Sequence, residues 1–173
     1  MRNAGRFAFL SLFTLFLMIS LSMVNAVASG PAPKFVQKAT IGGQFEILSS
    51  QLALQKASAD SIKEFAQQMV EDHTKSGDQL NEVVASSLPG MQPPSPELDA
   101  KHSAMITQLQ GLSGKAFDRK YVKDQVSAHK EAVALFKSYA KDGDNEGLKN
   151  FAGQTLPMLQ GHLDRITQIK NSL

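Results

Sequence analysis

Apolar residues recur every three or four positions along most of the chain after residue 33. This spacing is typical of amphipathic helices that turn one face towards a core. No stretch alternates strictly enough between apolar and polar residues to predict a strand, so the pattern indicates an all-α domain. The clearest stripes consist of Ile62, Phe65, Ala66, Met69, Leu80 and Val84; Phe117, Tyr121, Val122, Val126, Val133 and Phe136; and Leu148, Phe151, Leu156, Leu159, Ile166 and Ile169.

Breaks between the stripes divide this part of the chain into four long helices and one short helix. We expect the long helices at about 34–57, 61–88, 116–141 and 145–172, and the short helix from about 96 to an end between Gly111 and Gly114. The first and last connections are short, whereas the middle one is long. The chain therefore predicts an antiparallel four-helix bundle with a short extra helix in the central crossover.

Local signals mark several of these boundaries. Ser61 and Glu64 have the spacing of a capping box at the start of the second helix. Residues 89–96 contain four prolines and cannot be helical, because proline removes a backbone donor and fixes φ. Ser95 followed by Pro96 predicts the start of the short crossover helix.

The first 26 residues differ from the rest of the chain. Two arginines precede an apolar run from Phe7 to Met23, and small residues follow it. This is the pattern of a secretory signal peptide, with Ala26 and Ala28 as alternative last residues before cleavage. An uncleaved anchor is the other interpretation, because the run approaches the lower length limit for spanning a bilayer.

The predicted domain organisation follows from this leader. We expect a signal peptide over 1–26, a linker over 27–33 and the helical bundle over 34–173. The mature chain would be exported across the inner membrane and would keep no stable membrane span. We expect it in the periplasm, although the pattern does not distinguish the periplasm from the cell exterior.

Composition and charge narrow the classes of function. The 18 basic and 16 acidic residues give a formal charge of +2. Arg2 and Arg6 belong to the leader, so the rest of the chain has equal numbers of basic and acidic residues. It therefore lacks the excess of positive charge that nucleic-acid binding requires. The absence of cysteine excludes a disulfide framework. The chain contains no glycine-rich phosphate loop, no GxSxG and no HExxH motif, which favours a non-enzymatic role without deciding the question.

Four polar residues interrupt the inward faces of the long helices, one on each helix: Glu46, His73, His129 and His162. Each lies near the middle of its helix, and a rise of about 1.5 Å per residue keeps them within one or two turns of a common level. Burying such groups unpaired costs on the order of 1–3 kcal/mol each. We therefore expect them to contact each other, water or a metal ion.

Two further features belong to this level of the bundle. Asp72 and Gln125 are predicted partners that orient the ligating residues, since Gln125 lies one turn before His129. Glycines also collect here, although each costs about 1 kcal/mol in a helix relative to alanine. Either close approach of the helices or room for an ion, water or small ligand would explain them. These glycines are Gly42, Gly43, Gly77 and Gly161.

Several segments resemble a bacterial family known as domain of unknown function 4142. They are GGQFEILSSQLALQKAS (42–58), MVEDHTKSGDQL (69–80), ELDAKHSAMITQLQGLSGKAFDRKYV (97–122), QVSAHKEAVALF (125–136) and FAGQTLPMLQGHL (151–163). The resemblance implies an exported protein with a ferritin-like helical-bundle fold and no assigned activity. The family's recurrent glutamate and histidines match the four residues singled out above.

The sequence departs from true di-iron bundles, which carry Glu-x-x-His pairs on two helices. Val70, Val126 and Leu159 stand three positions before the three histidines, so too few inward carboxylates remain to bridge two iron ions. This argues against ferroxidase chemistry.

Two hypotheses of function remain. The first is a non-catalytic envelope or interaction protein, in which the four residues form a buried polar network that fixes helix register. The second is a mononuclear metal protein in which the same four residues hold one zinc, manganese, iron or copper ion. An envelope protein partner and a small ligand are both compatible with the sequence, and the oligomeric state is open.

Overall fold

The computed structural model describes residues 31–173, so the predicted signal peptide and most of the predicted linker lie outside the described residues. Five α-helices occupy this part of the chain: α1 (Pro31–Lys56), α2 (Asp60–Ser87), α3 (Ala100–Gln110), α4 (Gly114–Asp142) and α5 (Glu146–Ser172). No strand occurs within it. The all-α prediction is therefore confirmed.

The four long helices form a ferritin-like antiparallel bundle. α1 pairs with α2 and α4 pairs with α5, and the two hairpins meet along α2 with α5 and along α1 with α4. One apolar cluster joins the C-terminal halves of α1 and α5 to the N-terminal halves of α2 and α4, and a second cluster joins the opposite halves. Neighbouring helices are thus antiparallel, and the diagonal pair α2 and α4 runs parallel. The connection between α2 and α4 must therefore travel the length of the bundle, and α3 lies in this crossover against α1 and α4.

α1 begins earlier than its local signals predict, and α3 begins later. α1 begins at Pro31, three residues before the predicted start, because proline is well tolerated in the first helical turn. α3 begins at Ala100 rather than near Pro96. Its N-cap is Asp99, whose side chain accepts a hydrogen bond of 2.9 Å from the backbone N–H of His102. The prediction that Ser95 caps this helix is wrong, because Asp99 provides a cap directly before the helical run.

The predicted capping box at Ser61 is also wrong. α2 begins at Asp60, and its N-cap is Ala59, which has no side-chain oxygen to offer. A tertiary contact holds this corner instead: the backbone N–H of Ser58 donates to the carboxylate of Asp118 on α4 at 3.0 Å, and the Ser58 hydroxyl donates to the same carboxylate.

A layer of buried polar residues separates the two apolar clusters. Each long helix crosses from one cluster to the other at this layer, and Glu46, His73, His129 and His162 lie at the four crossing points. All four are at least nine-tenths buried. None of the five helices is long and apolar enough to cross a membrane.

Candidate metal centre

Three histidines from three helices meet in the polar layer. His73 on α2, His129 on α4 and His162 on α5 each offer one ring nitrogen, and these nitrogens lie within 4.8 Å of one another. The ring centroids form a nearly equilateral triangle, with separations of 5.8, 5.5 and 5.5 Å. The geometry is that of side chains converging on a common point.

Hydrogen bonds orient two of the three rings. The Nδ1–H of His129 donates to the backbone carbonyl of Gln125 at 3.0 Å. The Nε2–H of His162 donates to the carboxylate of Asp72 at 2.8 Å. Because both acceptors lack a proton to give, each ring carries its own proton on the bonded nitrogen. The other nitrogen of each ring, Nε2 of His129 and Nδ1 of His162, therefore presents a lone pair.

The third ring, His73, lies with its Nδ1 towards α1. A Cβ added at Gly43 would lie 4.0 Å from this atom. Its other nitrogen, Nε2, is buried. Within residues 31–173, the Nε2 atoms of His73 and His129 and the Nδ1 of His162 are all buried without a hydrogen-bond partner. Each such atom carries a desolvation cost of roughly 1–3 kcal/mol unless something binds it.

The histidines are neutral at physiological pH. Burial lowers the pKa of His129 to about 4 and that of His73 well below 6.5. Burial also lowers the pKa of His162, although the Asp72 carboxylate partly opposes the change. Neutral imidazoles with free lone pairs are the form that ligates transition metals.

Glu46 lies beside this group but not within it. Its Oε1 is 3.5 Å from Nδ1 of His129, which is the nitrogen on the far side of the ring from the free lone pair. Among the described residues, the group of mutually close donor atoms contains the three histidines and not this carboxyl. Burial raises the pKa of Glu46 to about 8, more than the Gln125 side chain lowers it, so the carboxyl holds a proton at neutral pH.

Asp72 and Gln125 each accept a hydrogen bond from one histidine of the group. Asp72 bonds His162 directly. Gln125 uses its backbone for His129, and its side-chain amide donates to the hydroxyl of Ser49 at 2.9 Å.

Sequence reasoning missed other supports of the layer. The hydroxyl groups of Ser50 and Tyr121 share a hydrogen bond of 2.8 Å. The ring of Phe65 lies edge-on to His129 and His162, with centroids 6.3 and 6.2 Å away. Tyr121 and Gln125 precede His129 at intervals of four, and this helical spacing was the available signal.

A cleft of about 1070 Å³ opens beside the histidine group. Its walls come from α1, α2, the start of α3, α4, part of α5 and the proline-containing stretch 93–96. Gly42, Gly43 and Gly77 line it, and so do Glu46 and His73.

The fold is shared with solved structures of low sequence identity. CopM in the Cu(II)-bound form matches with a TM-score of 0.68 and 16% identity, over 80% of this chain and 94% of that chain. CopM in an Ag-bound form matches with a TM-score of 0.65, again at 16% identity over 80% and 94% of the two chains. A DUF305 fragment from Deinococcus radiodurans matches with a TM-score of 0.70 and 14% identity, over 81% and 95%. These similarities concern the helical bundle alone.

The curated proteins contain no match to this chain. A family model, in contrast, covers residues 21–169, which include all four polar residues of the central layer. The chain therefore belongs to the family described as a domain of unknown function (DUF4142).

Proposed function

We propose that this protein binds one transition-metal ion in the bundle core through His73, His129 and His162, with copper as the favoured ion and zinc next. The observation that carries the proposal is that three neutral, buried histidines each offer a ring nitrogen within 4.8 Å of the others, and that each has one buried ring nitrogen without a partner among residues 31–173. Three ring nitrogens from separate helices supply most of a four-coordinate site.

The converging nitrogens favour metal binding over a self-contained polar network. In such a network, each buried donor is paired with a buried acceptor. Here the ring protons of His129 and His162 point outwards to Gln125 and Asp72. The free nitrogens of these two rings are both acceptors, and the neutral His73 ring carries one proton, which can pair with only one of them. A cation satisfies several inward lone pairs at once.

The donor set favours copper among the first-row ions. Imidazole suits zinc, copper, iron and nickel, whereas manganese prefers carboxylate and carbonyl oxygens, which the converging group does not provide. Affinity for a given nitrogen site rises to Cu²⁺ and falls again at Zn²⁺. CopM, a structural neighbour with the same bundle, has been solved in Cu(II)-, Cu(I)- and Ag-bound forms. We assign no reaction to the site.

We assign Glu46 a place beside the metal and not on it. Its carboxyl approaches His129 from the side of the nitrogen that is already engaged with Gln125. In this position it contacts a ligand without facing the ion. Three protein ligands leave a further coordination position for water or a small ligand.

The test is metal binding by untagged mature protein, measured by isothermal titration with Cu²⁺ and Zn²⁺ and by elemental analysis. We expect one ion per chain, and we expect His73→Ala and His129→Ala each to weaken binding at least 100-fold. His102→Ala is the matched control for affinity, because His102 lies on α3 against Asp99 and Phe45, at the cleft but outside the converging group. Absence of binding, or equal binding by all three variants, would refute the proposal.

A second arm tests the orientation of His162. Asp72→Asn removes the negative charge from the acceptor and lowers the basicity of the ring, so we expect metal affinity to fall about 10- to 100-fold. Glu71→Gln, one position away on the same helix, removes a charge of the same sign without touching a histidine hydrogen bond. It should leave the affinity unchanged.

We also propose that the chain acts after export. The arginines, apolar run and small residues of 1–26 support cleavage after Ala26 or Ala28 and delivery to the periplasm. Intact mass of the protein recovered from the periplasmic fraction measures the cleavage point. A full-length mass in the membrane fraction would indicate a retained anchor.

A further inference from the structure

Two of the glycines that line the cleft are not explained by close packing. A Cβ added at Gly42 or at Gly77 would meet no described atom within 4 Å beyond its own stretch of helix. Each glycine still costs about 1 kcal/mol relative to alanine inside a helix. Their effect is to leave open space along α1 and α2, where larger side chains would extend into the cleft.

The cleft leads to polar atoms that have no partner. Glu46 and His73 both line it, although their side chains are 3% and 6% exposed. Within the described residues, Oε2 of Glu46 and Nε2 of His73 are buried and unbonded. His129 and His162 do not line the cleft. Of the three converging histidines, His73 alone thus connects the cleft to the group.

The cleft is large enough for a hydrated ion. A water molecule takes up about 30 Å³, so an ion with six waters needs roughly 200 Å³. The cleft offers about 1070 Å³. An ion could therefore enter with its water or with a small carrier ligand and exchange these for imidazole.

We infer that this glycine-lined cleft is the route by which the metal ion enters and leaves the bundle core, with His73 as the first of the three converging histidines that it reaches. The inference rests on the proposed metal binding. It describes a site that exchanges its ion with solvent or with a small metal complex, unlike a structural site enclosed by packed side chains.

Narrowing the route should change the two rate constants and leave the affinity unchanged. Gly42→Leu/Gly77→Leu places two large side chains along the cleft, at positions where the added Cβ meets no described atom within 4 Å beyond its own stretch of helix. We expect the rates of Cu²⁺ loading and release to fall together, at least 10-fold, with the equilibrium constant unchanged. Loading is followed by stopped-flow quenching of tyrosine fluorescence, since the chain has no tryptophan. Release is followed by transfer to an excess of a chromogenic chelator.

Two controls accompany this variant. Gly161→Leu introduces the same residue on α5 beside His162, at a glycine that also has open space around its Cβ but does not line the cleft. It should load and release Cu²⁺ at the wild-type rates. Gly42→Ala/Gly77→Ala adds only methyl groups and should lie close to wild type, which separates obstruction from a general effect of replacing glycine.

The outcomes distinguish this inference from the proposed function. If wild-type protein binds no Cu²⁺, the proposed function fails. If wild type binds and the double leucine variant exchanges the ion at the wild-type rates, the entry route is wrong. A change in affinity through the release rate alone also overturns the route, because the leucines would then act on the site itself.

Discussion

Glu46 is a carboxyl residue in surroundings that are unusual for a glutamate. It is 3% exposed, and burial raises its pKa to about 8 from an ordinary value of 4.5, with the nearby Asp124 acting in the same direction. In the unfolded chain the carboxyl ionises above about 4.5, whereas in the folded chain it keeps its proton. Its contribution to stability is therefore fully present below pH 4.5 and is lost as the pH rises through about 8.

We expect Glu46→Gln to stabilise the metal-free protein at alkaline pH and to have little effect at pH 4.5. The amide has the same shape and does not ionise, so the loss between these pH values disappears. The gain at pH 8.5 should reach a few kcal/mol, since each pKa unit corresponds to about 1.4 kcal/mol. Urea unfolding of chelator-treated protein at pH 4.5, 6.5, 7.5 and 8.5 measures both.

The exposed Glu82→Gln is the control for Glu46→Gln and should follow the wild-type profile. If Glu46→Gln and wild type lose stability in parallel between pH 6.5 and 8.5, the carboxyl is ionised in the folded protein. The assignment of a protonated Glu46 would then be wrong.

At the scale of the helices, Asn145 links two elements with one side chain. Its Oδ1 accepts from the backbone N–H of Leu148 at 3.0 Å and caps α5. Its Nδ2 donates to the carbonyl of Ser87 at 3.0 Å, which is the last residue of α2. Asn145 therefore holds the start of α5, in one hairpin, to the end of α2, in the other hairpin.

We expect Asn145→Ala to lower the free energy of unfolding by about 1–2 kcal/mol, because it removes both the cap and the tie between helices. Asn145→Asp keeps an oxygen for the cap but loses the donor to Ser87, so its effect should be smaller. Urea midpoints of the three proteins measure this order. Metal affinity should stay at the wild-type value, because His162 lies 17 positions further along α5. Equal stability of Asn145→Ala and wild type would contradict the assignment.

Features that depend on spacing within one helix could be predicted from the sequence, whereas features that depend on contacts between helices could not. Helical periodicity predicted which residues turn inwards, and position along each helix predicted that Glu46 and the histidines share one level. Helix starts were less predictable from the sequence. The corner before α2 is held by a distant residue, because the Asp118 carboxylate accepts a hydrogen bond from the backbone N–H of Ser58. The side of the His129 ring that Glu46 approaches depends on rotamers and neighbours, which periodicity does not encode.

At the scale of the whole molecule, the histidine group joins the two hairpins. The α1–α2 hairpin contributes His73 from α2, whereas the α4–α5 hairpin contributes His129 from α4 and His162 from α5. An ion held by all three rings binds the native bundle and not the unfolded chain, so its binding free energy adds to the stability of the whole fold.

We expect metal to raise the stability of the entire bundle in one cooperative transition. At a free Cu²⁺ concentration 100 times the Kd, the gain should be roughly 3 kcal/mol. Thermal unfolding followed by circular dichroism, with and without Cu²⁺, measures it, and a chelator should reverse it. His129→Ala should show no such gain. An equal rise in Tm for this variant would place the stabilising ion elsewhere.

The layered core makes the bundle sensitive to the register of its helices. The crossover between α2 and α4 supplies none of the three ring nitrogens, so its length can vary without moving them. One residue inserted in α2 between Met69 and His73 would instead turn the imidazole by about 100° relative to the Met69 end of the helix. The spacing between the two apolar clusters on each helix is therefore a constraint on natural variants, and loops are where length differences can accumulate.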